Sequence, residues 1–126
     1  MATQPEQLKA RTKDFAIRIV RVFKSLLKND EARIIGKQLL RAGTSVAANY
    51  RAVCRSRSKA EFISKMSVVV EEADETAFWL ELLFETRIIA EARLRDLLSE
   101  ANELLAIFAA SLWTARERRM GQSPNT

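Results

Sequence analysis

Apolar side chains recur at steps of three and four along nearly the whole chain, with no strand-like alternation and no glycine-rich hairpin turn to interrupt them. Phe15, Ile19, Val22, Phe23 and Leu26 share one face of a segment running from about Glu6 to Lys28. A Lys28-Asn29-Asp30 turn with an N-cap residue follows, and Ile35, Leu39, Ala42, Val46, Tyr50 and Val53 carry the same period to about Arg55. Ser58-Lys-Ala-Glu61 matches a capping box, in which the Ser58 hydroxyl accepts from the Glu61 amide and the Glu61 side chain reaches back. It stands directly ahead of Phe62, Met66, Val69, Ala73, Leu80 and Leu83, so a third helix starts near Lys59. Past a break at Thr86-Arg87, the residues Leu94, Leu98, Ala101, Leu105, Phe108 and Leu112 form a fourth stripe that ends in the basic stretch Arg116–Arg119. Short joints between long helices predict an all-α, antiparallel up-down-up-down four-helix bundle. Residues 1–120 read as one bundle domain and 121–126 as a disordered C-terminal tail.

Composition narrows the chemistry. The 126 residues contain no His and a single Cys, Cys54. That removes imidazole-dependent nucleophiles, zinc and di-iron sites, and any intramolecular disulfide. The N-terminal stretch lacks an apolar core and no apolar run approaches the roughly 20 residues that span a bilayer; a cytoplasmic protein with no membrane partner and no cofactor is expected. Formal charge is +5, but residues 1–63 hold 14 Lys and Arg against 5 Asp and Glu, whereas residues 64–126 hold 7 against 11. The chain has a basic half and an acidic half.

The basic half is patterned. Residues 33 and 51 lie five whole helical turns apart, so Arg33, Lys37, Arg41, Arg51 and Arg55 fall in one arc of the second helix, and Lys59 extends the line. The first helix adds Arg11, Arg18, Arg21, Lys24 and Lys28 opposite its apolar face. Such stripes attract phosphate backbones without reading bases; the competing reading is a solvated helix face. Gly36 and Gly43, each costing about 1 kcal/mol inside a helix, align with Ala47 and Cys54 on a narrow seam that permits close helix approach, unless one of them simply breaks the helix. Cys54 reads as a packed thiol there, while Ser45, Thr44 and Asn49 suit helix registry, Asn49 through a polar contact between helices and the hydroxyls through carbonyls one turn back.

Ala77 to Phe84 is apolar at seven of eight positions, more than one core stripe needs. Phe78, Trp79 and Leu82 then form a second face against another protomer, with Glu71 and Glu75 beside them to meet that protomer's arginines; the alternative is a central helix in a thick monomeric core. Carboxylates at Glu71, Glu72, Asp74, Glu75, Glu100 and Glu103 also raise a Mg²⁺-dependent nucleotide pyrophosphohydrolase as an enzyme reading.

Three stretches together, Gln38-Leu-Leu-Arg-Ala-Gly-Thr-Ser-Val-Ala-Ala-Asn-Tyr50, Arg55-Ser-Arg-Ser-Lys-Ala-Glu-Phe-Ile63 and Glu72-Ala-Asp-Glu-Thr-Ala-Phe-Trp-Leu-Glu-Leu-Leu83, resemble the four-helix bundle proteins encoded in 23S ribosomal RNA intervening sequences. The resemblance runs from about Phe15 to Leu112. It implies a bacterial, left-handed bundle assembled as a ring-like homo-oligomer, with a pentamer favoured, and no established enzymatic activity. Accessory variability proteins of diversity-generating retroelements look like relatives, and those are basic pentamers that work with RNA and a reverse transcriptase. The family's signature falls on Arg41, Gly43, Ser45, Asn49, Ser58, Phe62 and Glu75, a set with a structural cast. Ala52 stands where relatives often carry Glu. The expectation is therefore a non-enzymatic homo-oligomer that binds nucleic acid, RNA favoured, through Arg18, Arg21, Arg33, Lys37, Arg41, Arg51, Arg55 and Lys59. A structural adaptor with a protein partner is the alternative.

Overall fold

A computed structural model describes residues 2–121, and the side chains through residue 118. Four helices follow one another: α1 (Gln4–Ser25), α2 (Asp30–Val53), α3 (Lys59–Glu85) and α4 (Glu91–Gly121). Each packs on its successor, and the start of α1, the end of α2, the start of α3 and the end of α4 meet at one end of the molecule, which is the up-down-up-down bundle expected. Among the described residues no helix is long and apolar enough to cross a membrane.

Capping chemistry sets most boundaries. The first helix starts earlier than the apolar stripe alone suggests because Thr3 and Glu6 form a reciprocal box, the Thr3 hydroxyl accepting from the Glu6 amide at 3.3 Å and the Glu6 carboxylate from the Thr3 amide at 3.2 Å. Its end comes at Ser25, short of Lys28, where Leu26 turns to an extended backbone and lays its side chain over α2. Asn29 caps α2 through the Ala32 amide, and α2 closes at Val53, two residues before the expected end. At α3 only half of the expected box forms. Ser58 accepts from the Glu61 amide at 3.1 Å, but the Glu61 carboxylate takes the Arg57 amide and the Lys65 ammonium instead of reaching the Ser58 amide. Arg87 (φ 60°) ends α3 in a Schellman turn, its amide donating to the Phe84 carbonyl and that of Ile88 to the Leu83 carbonyl. Gly121 completes α4 instead of opening a tail, a position where the missing side chain is tolerated. The rest of the expected tail, residues 122–126, lies outside the described residues.

Phe15, Ile19, Leu39, Val46, Val69, Leu80, Leu83, Leu94, Leu104 and Phe108 are fully buried, each worth roughly 1.5–3 kcal/mol of burial. In α4 the buried pair is Leu97 and Leu104, one position before the expected Leu98 and Leu105, which sit at the core's edge. Adjacent leucines leave the phase of the stripe open by one residue, and packing chooses. Two hydroxyls enter the core satisfied, Thr12 donating to the Lys9 carbonyl and Thr76 to the Glu72 carbonyl.

The glycine seam is the contact between α1 and α2. A Cβ on Gly43 would lie 2.8 Å from Ile19 Cγ1, and one on Gly36 would lie 2.5 Å from Leu26 Cδ1. Cys54 does not share this seam; α2 ends before it, and its thiol is exposed. The apolar run in α3 is divided between its two neighbours: Ala77, Leu80 and Leu83 are buried, Trp79 and Phe84 pack at the edge of the core, Leu82 is half-buried, and Phe78 remains 52% exposed.

Candidate nucleic-acid interface

Because α2 buries Leu39, Val46 and Tyr50, its opposite face must carry whatever stands half a turn away. Arg33, Lys37 and Arg51 stand there exposed; Arg55, expected on the same arc, lies in the turn past the end of α2 and is exposed too, and among the described residues none of the four has an acidic group within 4.0 Å. From Arg33 to Arg51 the row covers about 27 Å of helix, at 1.5 Å per residue. Lys59, expected to extend the line, is exposed but stands in the first turn of a different helix, α3, across the joint. On α1, Arg21 is exposed and Arg18 half-buried.

Two arginines expected in these stripes are engaged elsewhere. Arg41 reaches across to α3, with Nη1 3.2 Å from Glu72 and Nη2 2.5 Å from Glu75. Antiparallel packing sets residue 41 opposite this acidic turn, so the arginine that meets Glu75 is the chain's own. The Glu75 carboxylate also accepts from Trp79 Nε1 at 3.1 Å. Donation from Arg41, then from Trp79, holds the Glu75 carboxyl below its ordinary pKa, and hydrogen bonds to Glu75, then Glu72, push the Arg41 guanidinium up. Arg11 is similarly tied to α4, with Nη2 2.5 Å and Nε 3.2 Å from the two oxygens of Glu100 and Glu103 3.6 Å away.

These pairings engage four of the six carboxylates on which a magnesium site was raised. Glu72 and Glu75 face one arginine, Glu100 and Glu103 another, and among the described residues no group of three or more acids or cysteines is gathered to hold a metal ion. Glu71 stays exposed on the outer side of α3, near Val68 and Phe78 in helical register. Phe78 meets Trp79 edge-on, with ring centres 4.9 Å apart.

The registry residues act within their own helix. Asn49 donates to the Ser45 carbonyl at 2.8 Å, not across to a neighbouring helix, because its amide lies within one turn of that acceptor. Thr44 donates to the Leu40 carbonyl at 2.7 Å as expected. Sequence reasoning missed the Arg11–Glu100 strap, which no local pattern signals, and a groove at the end of the bundle of about 680 Å³ between α1, α3 and α4. Tyr50, whose hydroxyl is pushed well above the ordinary phenol pKa chiefly by burial, stands at its floor.

A protein-family model described as 23S rRNA-intervening sequence protein matches residues 7–110. A crystal structure from Bacteroides thetaiotaomicron, described as a protein with unknown function from the S23 ribosomal protein family, is 34% identical. The match covers 82% of this chain and 96% of that one, with a TM-score of 0.77. No curated protein matches the chain.

Proposed function

The chain belongs to the 23S rRNA-intervening sequence protein family, and from that premise we propose that it is a non-enzymatic, homo-oligomeric bundle that binds structured RNA through the outer face of α2. The observation that carries this reading is the row Arg33, Lys37, Arg51 and Arg55, exposed and without acidic partners among the described residues. Arg41, in the middle of the row, is by contrast held by Glu72 and Glu75. Arg33, Lys37 and Arg51 span about 27 Å of helix with Arg55 just beyond, long enough to meet several successive phosphates of a duplex. Their contribution is charge and counterion release, so recognition is of backbone and shape. Assembly of several copies, a pentamer favoured, multiplies weak contacts into avidity. Phe78, with half-buried Trp79 and Leu82 beside it and exposed Val68 further along α3, supplies the apolar patch for contact between copies.

The test is fluorescence anisotropy of labelled duplex RNA, single-stranded RNA and duplex DNA across a salt series. Binding is expected to fall steeply with salt, and the triple variant Arg33→Gln, Lys37→Gln, Arg51→Gln to flatten the log–log slope by about 2–3. An unchanged slope in a folded triple variant removes this face. In sedimentation, Trp79→Glu is expected to reduce the mass to that of smaller species; a folded variant of unchanged mass excludes the α3 patch. The exposed Phe78 also favours a second reading, a protein-binding adaptor, which takes first place if no nucleic acid binds at low salt.

A further inference from the structure

The end groove is lined by an apolar floor, Leu8, Phe62, Met66 and Phe108 among it, and the only charged side chains lining it among the described residues are two cations, Lys59 and Arg118. A smaller depression of about 470 Å³ continues it over the α2–α3 joint, sharing Pro5, Tyr50 and Phe62 with it and adding Arg57. That depression also holds Ser56, whose buried hydroxyl oxygen has no hydrogen-bond partner among the described residues. Lys59, which lines the groove, is four residues along the chain from Arg55, so a phosphate chain lying along Arg33, Lys37, Arg51 and Arg55 ends near the groove. The half-buried ring of Phe62 offers a stacking surface, and Lys59 and Arg118, which line the same groove, offer charge for the flanking phosphates.

We infer that this end groove receives an unpaired nucleobase from a single-stranded segment next to the bound duplex. The inference rests on the RNA-binding reading above and adds to it a preference for duplexes with single-stranded overhangs. Stacking on an aromatic ring raises affinity roughly five- to a hundred-fold per base, with little dependence on which base.

The experiment compares three labelled RNA duplexes of 16 base pairs at one salt concentration: blunt, with a four-nucleotide 3′ overhang, and with the same overhang made abasic. The full chain is used, alongside Phe62→Leu, which keeps the apolar floor and removes the ring, and Ser111→Trp, which fills the groove from α4. The overhang is expected to bind about ten-fold tighter than the blunt duplex, the abasic overhang to lose that gain, and both variants to bind overhang and blunt duplexes alike. If the overhang gives no gain while the Arg33, Lys37, Arg51 triple variant weakens all probes, the groove inference is overturned and the backbone reading stands. Retention of the gain by the abasic overhang, or by a folded Phe62→Leu protein, also overturns it. Failure of every probe to bind the wild-type protein overturns both. A change of sedimenting mass in Ser111→Trp with no overhang preference in the wild type assigns the groove to a second copy of the chain and overturns the inference.

Discussion

Adding one methyl group at Gly43 is expected to destabilise the bundle, whereas the same change at Gly36 leaves it unharmed or slightly more stable. Both substitutions gain about 1 kcal/mol of helix propensity, so their difference isolates what the new Cβ meets. At Gly43 it meets Ile19, with Cγ1 at 2.8 Å, Cγ2 at 2.9 Å and Cβ at 3.2 Å. Ile19 is fully buried and stiff at χ1, so relief requires α1 and α2 to separate. At Gly36 the nearest atom is the terminal methyl of Leu26 at 2.5 Å, the far end of a flexible, half-buried side chain beyond the end of α1, with the ring of half-buried Phe23 next at 3.2 Å. Overpacking of the first kind costs about 2–3 kcal/mol, for a net loss of about 1–2 kcal/mol; the second leaves a net change between zero and a gain of about 1 kcal/mol. For a chain of this size the two variants should differ in Tm by about 8 °C. Thermal and urea denaturation of both variants supply the numbers. A double-mutant cycle with Ile19→Ala supplies the cause, since removing both γ-carbons must make Gly43→Ala less costly. A Gly43→Ala protein as stable as the wild type, or strict additivity in the cycle, refutes the close approach as the reason for glycine.

Three further perturbations have defined signs. Glu75 has its folded-state pKa lowered, so its bond to Arg41 contributes stability that is present above the ordinary carboxylate pKa and lost as pH falls through the lower folded value. The stability difference between wild type and Glu75→Gln, small because the Glu75 side chain is 36% exposed, is therefore expected at pH 7 and is expected to shrink as pH falls below the ordinary carboxylate range; a constant difference contradicts the coupling. Arg87→Gly removes the left-handed penalty of a non-glycine residue at φ 60° and is expected to raise stability by about 1 kcal/mol in urea unfolding. Arg11→Ala and Glu100→Ala, examined as a cycle, are expected to couple by about 0.5–1 kcal/mol, the bidentate geometry being offset by partial exposure; zero coupling marks the pair as a surface contact without energetic weight.

Helix number, order and the α3 start were legible because apolar period and capping residues are local signals. The exact phase of α4 was not, since Leu97-Leu98 and Leu104-Leu105 each offer two leucines to one core position. Charge was readable as a row but not as an occupancy. Arg41 and Lys37 are equal members of a helical wheel, and only the packing of α3 beside α2 sets two carboxylates within reach of one and none within reach of the other. The end groove escaped notice for a related reason: its walls come from segments as distant as Leu8, Phe62 and Phe108.

The extensive interfaces of this bundle join helices consecutive in the chain, and α1 meets α4 over a much smaller area. Loop closure over a few residues is therefore all that most native contacts demand before they repay it, the condition under which domains fold in microseconds to milliseconds. An α1–α2 hairpin, zipped along its glycine seam, has its whole interface in the first half of the chain. It can form on the ribosome before α4 has been synthesised.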